Sequence, residues 1–478
     1  MSVLKNIEQK NVFGFFEKIS QIPRGSGNTK EISDYLCAFA KEKGFEYYQD
    51  KMNNVIIIKE ASSGYENSQP LIIQAHIDMV CEKESGCTKD MSKEGIELIV
   101  DDDFISANGT TLGADDGIGV AYALAVLDAQ NLSHPRIEAV FTVDEEIGML
   151  GAFDIDVSKL KGKIMLNLDC GEEKTFIVSC AGGITSKSTF NIKREKYEGT
   201  ALNIKISGLS GGHSGVMINR GGANSNSLMG RLLCDISKKC EFRLSKIDGG
   251  FKDNAIPALT SATIICRDKN ECVSAINKLE EALKNEYSVT DPELKISVEE
   301  CEYELPLCRQ DSDKVILFLN IAPNGVQAMS SQIKDLVQTS LNFAITSSFK
   351  DKIECIISVR SSVDSQKYMI ADKLNQLTVF LGGSVETWGD YPGWEFKQNS
   401  EFRNTFSRVF KNKLGYEPKI EAVHAGLECG LFSGKIPGLD AISYGPDMWD
   451  IHTPRERLSI SSSQRVWELI VELLKELK

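Results

Sequence analysis

Nothing in this 478-residue chain approaches a run of about 18 apolar residues, so no segment is expected to span a membrane. An excess of basic residues is also missing: 54 Lys and Arg stand against 68 Asp and Glu, a formal charge of −14. That balance argues against nucleic acid or an anionic membrane as a partner, because either needs a basic face to displace counterions. Small neutral or basic molecules remain open as ligands. No C-x-x-C pair occurs among the thirteen cysteines, which are odd in number and scattered, and this removes the zinc knuckle and the redox dithiol. The opening MSVLKNIEQKNVFGFFEKIS spaces its apolar residues at helical intervals and has no unbroken apolar core of the secretory kind. Reduced thiols in a cytoplasmic setting are therefore expected. Short-period repeats and low-complexity tracts are absent, and histidine is scarce, with five in the chain.

With 42% apolar and 26% charged residues the composition is that of a globular protein, and the length exceeds what one hydrophobic core normally supports. The first part alternates the two kinds of element, as an α/β domain with a largely parallel sheet does. Residues 29–43 have the spacing of an amphipathic helix stopped by Gly44. Apolar runs of buried-strand length follow at 54–58, 71–74, 137–143 and 164–168, with a helix over 116–129 between them. From about Gly183 the pattern changes to alternating strands (184–194, 200–207, 258–266, 294–301, 353–360) mixed with helices (225–237, 269–285, 365–380), an α+β arrangement with an antiparallel sheet. Residues 399–413 and 462–478 return to amphipathic helices. Residues 184–392 are thus expected to be inserted between two parts, 1–183 and 393–478, of one catalytic domain.

The reactive residue types stand directly after the strand-like runs. His76 and Asp78 follow LIIQ, Asp144, Glu145 and Glu146 follow IEAVFTV, and Asp169 follows IMLNL. Ligands of open α/β sheets sit just beyond the carboxyl ends of strands, so these side chains can converge on one crevice. In QAHIDMV, residues two apart face the same side of an extended segment, so Asp78 can fix the tautomer of His76 while the other ring nitrogen binds a metal; a strand-end salt bridge explains the pair equally well. Asp115 and Asp116 in LGADDGIG read either as N-cap aspartates or as a carboxylate able to bridge two cations. The adjacent charges of DEEIG repel unless cations neutralise them, although a solvated loop is the plainer alternative. Asp169 and His452 complete a set of imidazoles and carboxylates suited to zinc, manganese or cobalt. His134, in NLSHPR, is an ordinary loop residue.

In order and spacing, H-x-D, GADDG, DEEIG, the later LD and the late His resemble the co-catalytic zinc metallopeptidases. With LSGGHSG, DNAIP and HAGLECG added, the whole chain is similar to the aminoacyl-histidine dipeptidases, the Xaa-His or bacterial carnosinase-like group. The resemblance implies a zinc-peptidase-like α/β catalytic domain with a mixed, mainly parallel sheet flanked by helices, plus an inserted α+β lid. It also implies two divalent ions, zinc first, with His76 and Asp169 on one, Glu146 and His452 on the other, and Asp115 bridging them through a cis peptide to Asp116. Glu145 would be the general base and Asp78 the partner orienting His76. From the lid, His213 would stabilise the oxyanion, and Arg360 with Asn254 would hold the substrate's terminal carboxylate, which requires the two domains to close. Many members of the group carry Asn where this chain has Asp116, which leaves the charge beside the bridge open. His424 and Glu428 receive no assigned role.

The expected reaction is hydrolysis of dipeptides, Xaa-His types such as beta-alanyl-histidine included. A broad dipeptidase, a tripeptidase or an aminoacylase of the same clan is the alternative, and a metal-free binding protein is the remote one. A small peptide is the expected partner, and the resemblance suggests a homodimer.

Overall fold

Val, Ile and Leu runs too short for helices form the centre of the first unit, which comprises Met1–Ser179, Phe396–Ala422 and Leu427–Lys478. The computed structural model describes residues 3–5 and 7–478; residues 1, 2 and 6, within the helix-spaced opening, lie outside the described residues. Its main sheet has eight strands in the order Glu46–Gln49, Val55–Lys59, Ile137–Thr142, Leu71–His76, Ile164–Asn167, Asp440–Ser443, Thr175–Cys180 and Lys419–Val423. The four strands from Ile137–Thr142 to Asp440–Ser443 run parallel, and the pairings at Glu46–Gln49, Val55–Lys59 and Thr175–Cys180 are antiparallel. The sheet is therefore mixed and mainly parallel at its centre. Leu71–His76 and Ile137–Thr142 are buried along their whole length, which is why they read as unbroken apolar runs rather than as alternation.

The helix Ala114–Asp128 is buried on nearly every side, as an all-round apolar helix must be. It packs on Lys10–Ser20 and on Leu71–His76. Helix Lys30–Lys43 ends at Gly44, whose φ of 72° closes it with a left-handed cap. A second, four-stranded sheet joins Met448–Trp449, Arg457–Ser459, Phe104–Ala107 and Leu98–Asp101, and its turn at 450–456 carries His452.

The second unit comprises Cys180–Glu395 and Val423–Gly426. The expected bounds are 183/184 and 392/393; here the long segment of the second unit runs from Cys180 to Glu395, and the tetrapeptide Val423–Gly426, which holds the first three residues of HAGLECG, packs with it. No sequence periodicity marks that tetrapeptide. The antiparallel sheet of this unit has nine strands, eight of them in the order Lys295–Glu300, Thr200–Ser207, Thr260–Cys266, Phe242–Gly249, Val337–Ser348, Lys352–Ser361, Gly182–Asn191 and Ser384–Tyr391, with Gly325–Met329 pairing on Val337–Ser348. Its core joins apolar residues of these strands to Leu228, Leu232 and Ile236, to Ile276, Leu279 and Leu283, to Val315 and Leu319, and to Ile370 and Leu374, which lie on helices Ser225–Ser237, Lys269–Glu286, Arg309–Ile321 and Asp364–Phe380.

The expectation of reduced thiols throughout is corrected in this unit. Cys240 and Cys272 form a disulfide, their Cα atoms 6.0 Å apart across 32 residues of sequence. The residue before helix Lys269–Glu286 places Cys272 in its first turn, and Cys240 lies just past the end of Ser225–Ser237; packing of the two helices brings them together, which spacing along the chain could not reveal. The other eleven cysteines lie outside that bond. Among the described residues no helix is long and apolar enough to cross a membrane.

Candidate active site

Three of the four parallel strands of the first unit lead directly into acidic or imidazole side chains. His76 is the last residue of Leu71–His76, Asp144–Glu146 follow Ile137–Thr142 after one Val, and Asp169 lies two residues past Ile164–Asn167. Parallel strands open all their carboxyl ends on one edge, so these segments meet there. Asp115 and Asp116 enter at the start of Ala114–Asp128 with non-helical backbone, and the peptide between them is cis. His452 enters from its turn with φ of 65°, and Asp144 has φ of 55°; neither is glycine, and a left-handed backbone costs such residues about 1–2 kcal/mol. Surrounding contacts must hold both in place.

His76 Nε2 lies 3.0 Å from Asp115 Oδ1, His452 Nε2 lies 3.2 Å from Asp115 Oδ2 and 2.8 Å from Glu146 Oε1. The two oxygens of Asp115 therefore face two different imidazoles, the arrangement of a bridging carboxylate. His76, Asp115 and Glu146 offer ligand atoms that all lie within 4.8 Å of one another. On the other edge of the His76 ring, Nδ1 is 3.4 Å from Asp78 Oδ1, an ion-pair distance at which the angle leaves Nδ1 without a well-formed hydrogen bond. Asp78 also accepts from the backbone N–H of Glu145 (3.1 Å) and Glu146 (3.3 Å) and from the Ser26 hydroxyl (2.7 Å). It thus orients His76 and the acidic loop together.

The electrostatics of this cluster call for added positive charge. Burial pushes Glu145 up to about 9, helped by the charges of Asp169, Glu428 and Glu146. Burial also pushes Asp169 up to about 7, with Asp115 adding to it. Asp115 stays below its ordinary range, although burial opposes this, because His452 and His76 donate to it. The same pairings raise His452 to about 10 and hold His76 well above its usual value against the effect of burial. The donor set, two imidazoles and carboxylate oxygens with no thiolate, fits zinc and its neighbours.

Asp116 points away from this centre. It is fully buried, and its Oδ2 accepts from the His76 backbone N–H at 3.3 Å. Burial, with the charges of Asp169 and Asp115, pushes it well above its ordinary value. Glu428 is also fully buried. Its Oε2 accepts from Gln74 (2.6 Å) and Thr142 (2.7 Å), tying the two strands that carry His76 and the acidic loop, and burial pushes it up to about 7. His134 is buried, its Nδ1 2.7 Å from the Pro135 carbonyl, and takes no part.

The second unit has a polar cluster of its own. His213 pairs with Ala255 in the ribbon Gly212–His213/Ala255–Ile256, and the Ser214 N–H donates to the Asn254 carbonyl at 2.9 Å, so His213 and Asn254 are neighbours. The Gly215 and Val216 N–H groups donate to His213 Nδ1 (3.1 and 3.3 Å), which leaves the proton of the neutral ring on Nε2. Burial, then the charge of Arg360, holds His213 below its ordinary value. Arg360, on Lys352–Ser361, faces Ser340 on one neighbouring strand and Gly183 on the other. It donates to the Tyr391 hydroxyl at 3.2 Å, and its buried Nε has no hydrogen-bond partner. A half-buried guanidinium without a carboxylate is poised for an anion. His424 is buried, 2.7 Å from the Ser340 hydroxyl, and burial with the charge of Arg360 lowers it to about 3. Ser26, Ser340 and Tyr391 were not singled out from sequence, because a lone Ser or Tyr in a strand or loop carries no signal until its neighbours are known.

A mainly parallel sheet with carboxylates and imidazoles gathered at its strand ends, and with an antiparallel α+β unit inserted, is the architecture of a metal-dependent hydrolase. The model of peptidase family M20/M25/M40 matches residues 72–476, and the chain belongs to that family; it is a metallopeptidase. It is similar to the cytosol non-specific dipeptidase of Escherichia coli, 36% identical over all of this chain and 99% of that one. The crystal structure of aminoacylhistidine dipeptidase from Vibrio alginolyticus superposes with a TM-score of 0.94 at 35% identity, covering 99% of this chain and 98% of that one. Aminopeptidase PepT from Bacillus cereus shares the fold, with a TM-score of 0.57 at 17% identity over 98% of this chain and 99% of that one.

Proposed function

We propose that the protein is a dipeptidase that hydrolyses one peptide bond of small substrates, Xaa-His dipeptides such as beta-alanyl-histidine among them. His76 and Asp169 would hold one divalent ion and Glu146 and His452 the other, with Asp115 between the two imidazoles able to serve both. Zinc suits these donors, and manganese or cobalt is accommodated by the same set. When bound, such ions polarise the scissile carbonyl and make water acidic enough to react at neutral pH. Glu145 takes the proton of the attacking water and returns it to the departing amine. Asp78 keeps His76 in the tautomer that leaves Nε2 free as a ligand. His213 donates its Nε2 proton to the developing oxyanion, and Arg360 with Asn254 binds the terminal carboxylate of the substrate.

The observation that carries this reading is the meeting of His76, Asp115, Glu146 and His452 through nitrogen and oxygen atoms 2.8–3.2 Å apart beside a buried, upshifted Glu145. End-to-end identity of 36% with a cytosol non-specific dipeptidase favours dipeptides and a cytoplasmic setting, and likeness to an aminoacylhistidine dipeptidase favours histidine at the second position. A homodimer belongs to the same reading. A tripeptidase or aminoacylase would share the ion-binding residues and differ in the groups that meet the substrate. The deciding experiment is hydrolysis of His-terminated dipeptides, other dipeptides, tripeptides and N-acyl amino acids, before and after chelation, with single metals added back. Dipeptide cleavage lost on chelation and restored by zinc is expected. Preference for acylated substrates, or turnover indifferent to chelation, would overturn the reading.

A further inference from the structure

Four residues beyond His452, Glu456 is 2% exposed, and its carboxylate is spent wholly on the loop that delivers Asp115. Oε2 accepts from the backbone N–H of Leu112 (2.8 Å) and Gly113 (2.9 Å), and Oε1 from Ala114 (2.8 Å) and Asp115 (3.3 Å). Four consecutive N–H groups converging on one carboxylate form a closed anion nest. A carboxylate this deeply buried is tolerated only because its acceptor capacity is filled. From the other side of the same loop, Arg24, also 2% exposed, donates to the Gly113 carbonyl and to the carbonyls of Ile77 and Asp78, the last two at 3.1 Å. Gly113 has φ of 69°, and a Cβ there would stand 2.6 Å from Met79 Sδ and 2.7 Å from Arg24 Nη2. A side chain at 113 would therefore be strained and would displace Met79 or Arg24.

Three segments that each bear a residue of the metal centre are tied by these two side chains. Arg24 links the segment after His76 to the loop before Asp115, and Glu456 links that loop to the turn of His452. We infer that Glu456, backed by Arg24, is a positioning residue that fixes Asp115 relative to His76 and His452 and so sets the affinity of the metal pair, an inference that rests on the metal-centre reading above. Glu456 touches neither ion nor substrate in this role. It acts through the backbone of Asp115.

The test is Glu456→Gln, whose amide keeps the shape but turns a donor toward two of the N–H groups. Zinc titration of chelator-stripped protein by calorimetry is expected to give a Kd weaker by about 10–100-fold, with kcat lowered, KM little changed and partial recovery in Glu456→Asp. A lower Tm with zinc affinity and kcat unchanged would overturn the inference while leaving the metallopeptidase reading intact. Should Glu456→Gln not fold, amide hydrogen exchange of the stripped natural protein decides. Slow exchange at residues 112–115 supports the clamp, and exchange as fast as in an open loop overturns it. A natural protein that takes up no zinc would instead strike at the metal-centre reading itself, and this inference would fall with it.

Discussion

The two units hold their polar clusters in opposite ways. In the first, the strands at the centre of the sheet run parallel, so segments that leave their ends arrive at one edge, and each contributes a short stretch of neighbouring residues: His76 with Asp78, Asp144 with Glu145 and Glu146, Asp169 alone. In the second, neighbouring strands run antiparallel, and the cluster is assembled across the ladder. Arg360 meets Ser340 and Gly183 through register, Tyr391 meets Gly183 from the edge strand, and His213 meets Ala255, next to Asn254, across a ribbon of two residues on each side. The first unit gathers buried carboxylates beside two imidazoles, and the second half-buries a cation, Arg360, whose Nε has no hydrogen-bond partner.

The largest effect that tests this contrast is at Glu145. Replacing it with Ala is expected to lower kcat by about 10²–10⁴-fold while metal content, measured by elemental analysis after dialysis, stays near that of the natural protein. Near-normal turnover would remove Glu145 as the base. Arg360→Ala should do the reverse kind of damage: roughly 1.5–3 kcal/mol lost from kcat/KM for a hydrogen bond to a charged group, carried mostly by KM, with metal content untouched. Loss of metal in the Arg360 variant would erase the division of labour between the units.

A subtler difference lies in pH. His424 is lowered to about 3 by burial and by Arg360, against about 6.5 in an unfolded chain. Its folded pKa is depressed, so its contribution to stability is complete above pH 6.5 and is lost as pH falls from there toward 3. His424→Gln should therefore show a shallower fall of Tm over that window than the natural protein, read by calorimetry at a series of pH values; parallel curves would mean that His424 does not titrate there. The smallest signal is chemical. Thiol titration in denaturant without reductant should count eleven thiols, and thirteen would show that the Cys240–Cys272 bond does not form.

Local chemistry made the first unit legible before any fold was known. Buried parallel strands appear as unbroken apolar runs, and a metal centre at their ends appears as His and Asp or Glu within two or three residues of each run. The strands Thr175–Cys180 and Lys419–Val423 and the small sheet around Phe104–Ala107 had no such flag, and neither did Val337–Ser348 or Ser384–Tyr391, whose Ser, Thr and Gly content hides a strand. Arg24 and Glu456 were silent too, since a lone arginine or glutamate in a polar stretch looks like any solvated charge.

Residue order alone made legible the reactive residues after the strand-like runs, His76, Asp144 to Glu146 and Asp169, because segments that leave parallel strands in one direction share one edge. Tertiary structure decided which oxygen of Asp115 faces which imidazole, that Asp116 is buried against the His76 backbone, that Glu428 braces two strands, and that Cys240 meets Cys272. Each of these depends on register, burial or helix packing across dozens to hundreds of residues, and such distances leave no periodic trace in a sequence.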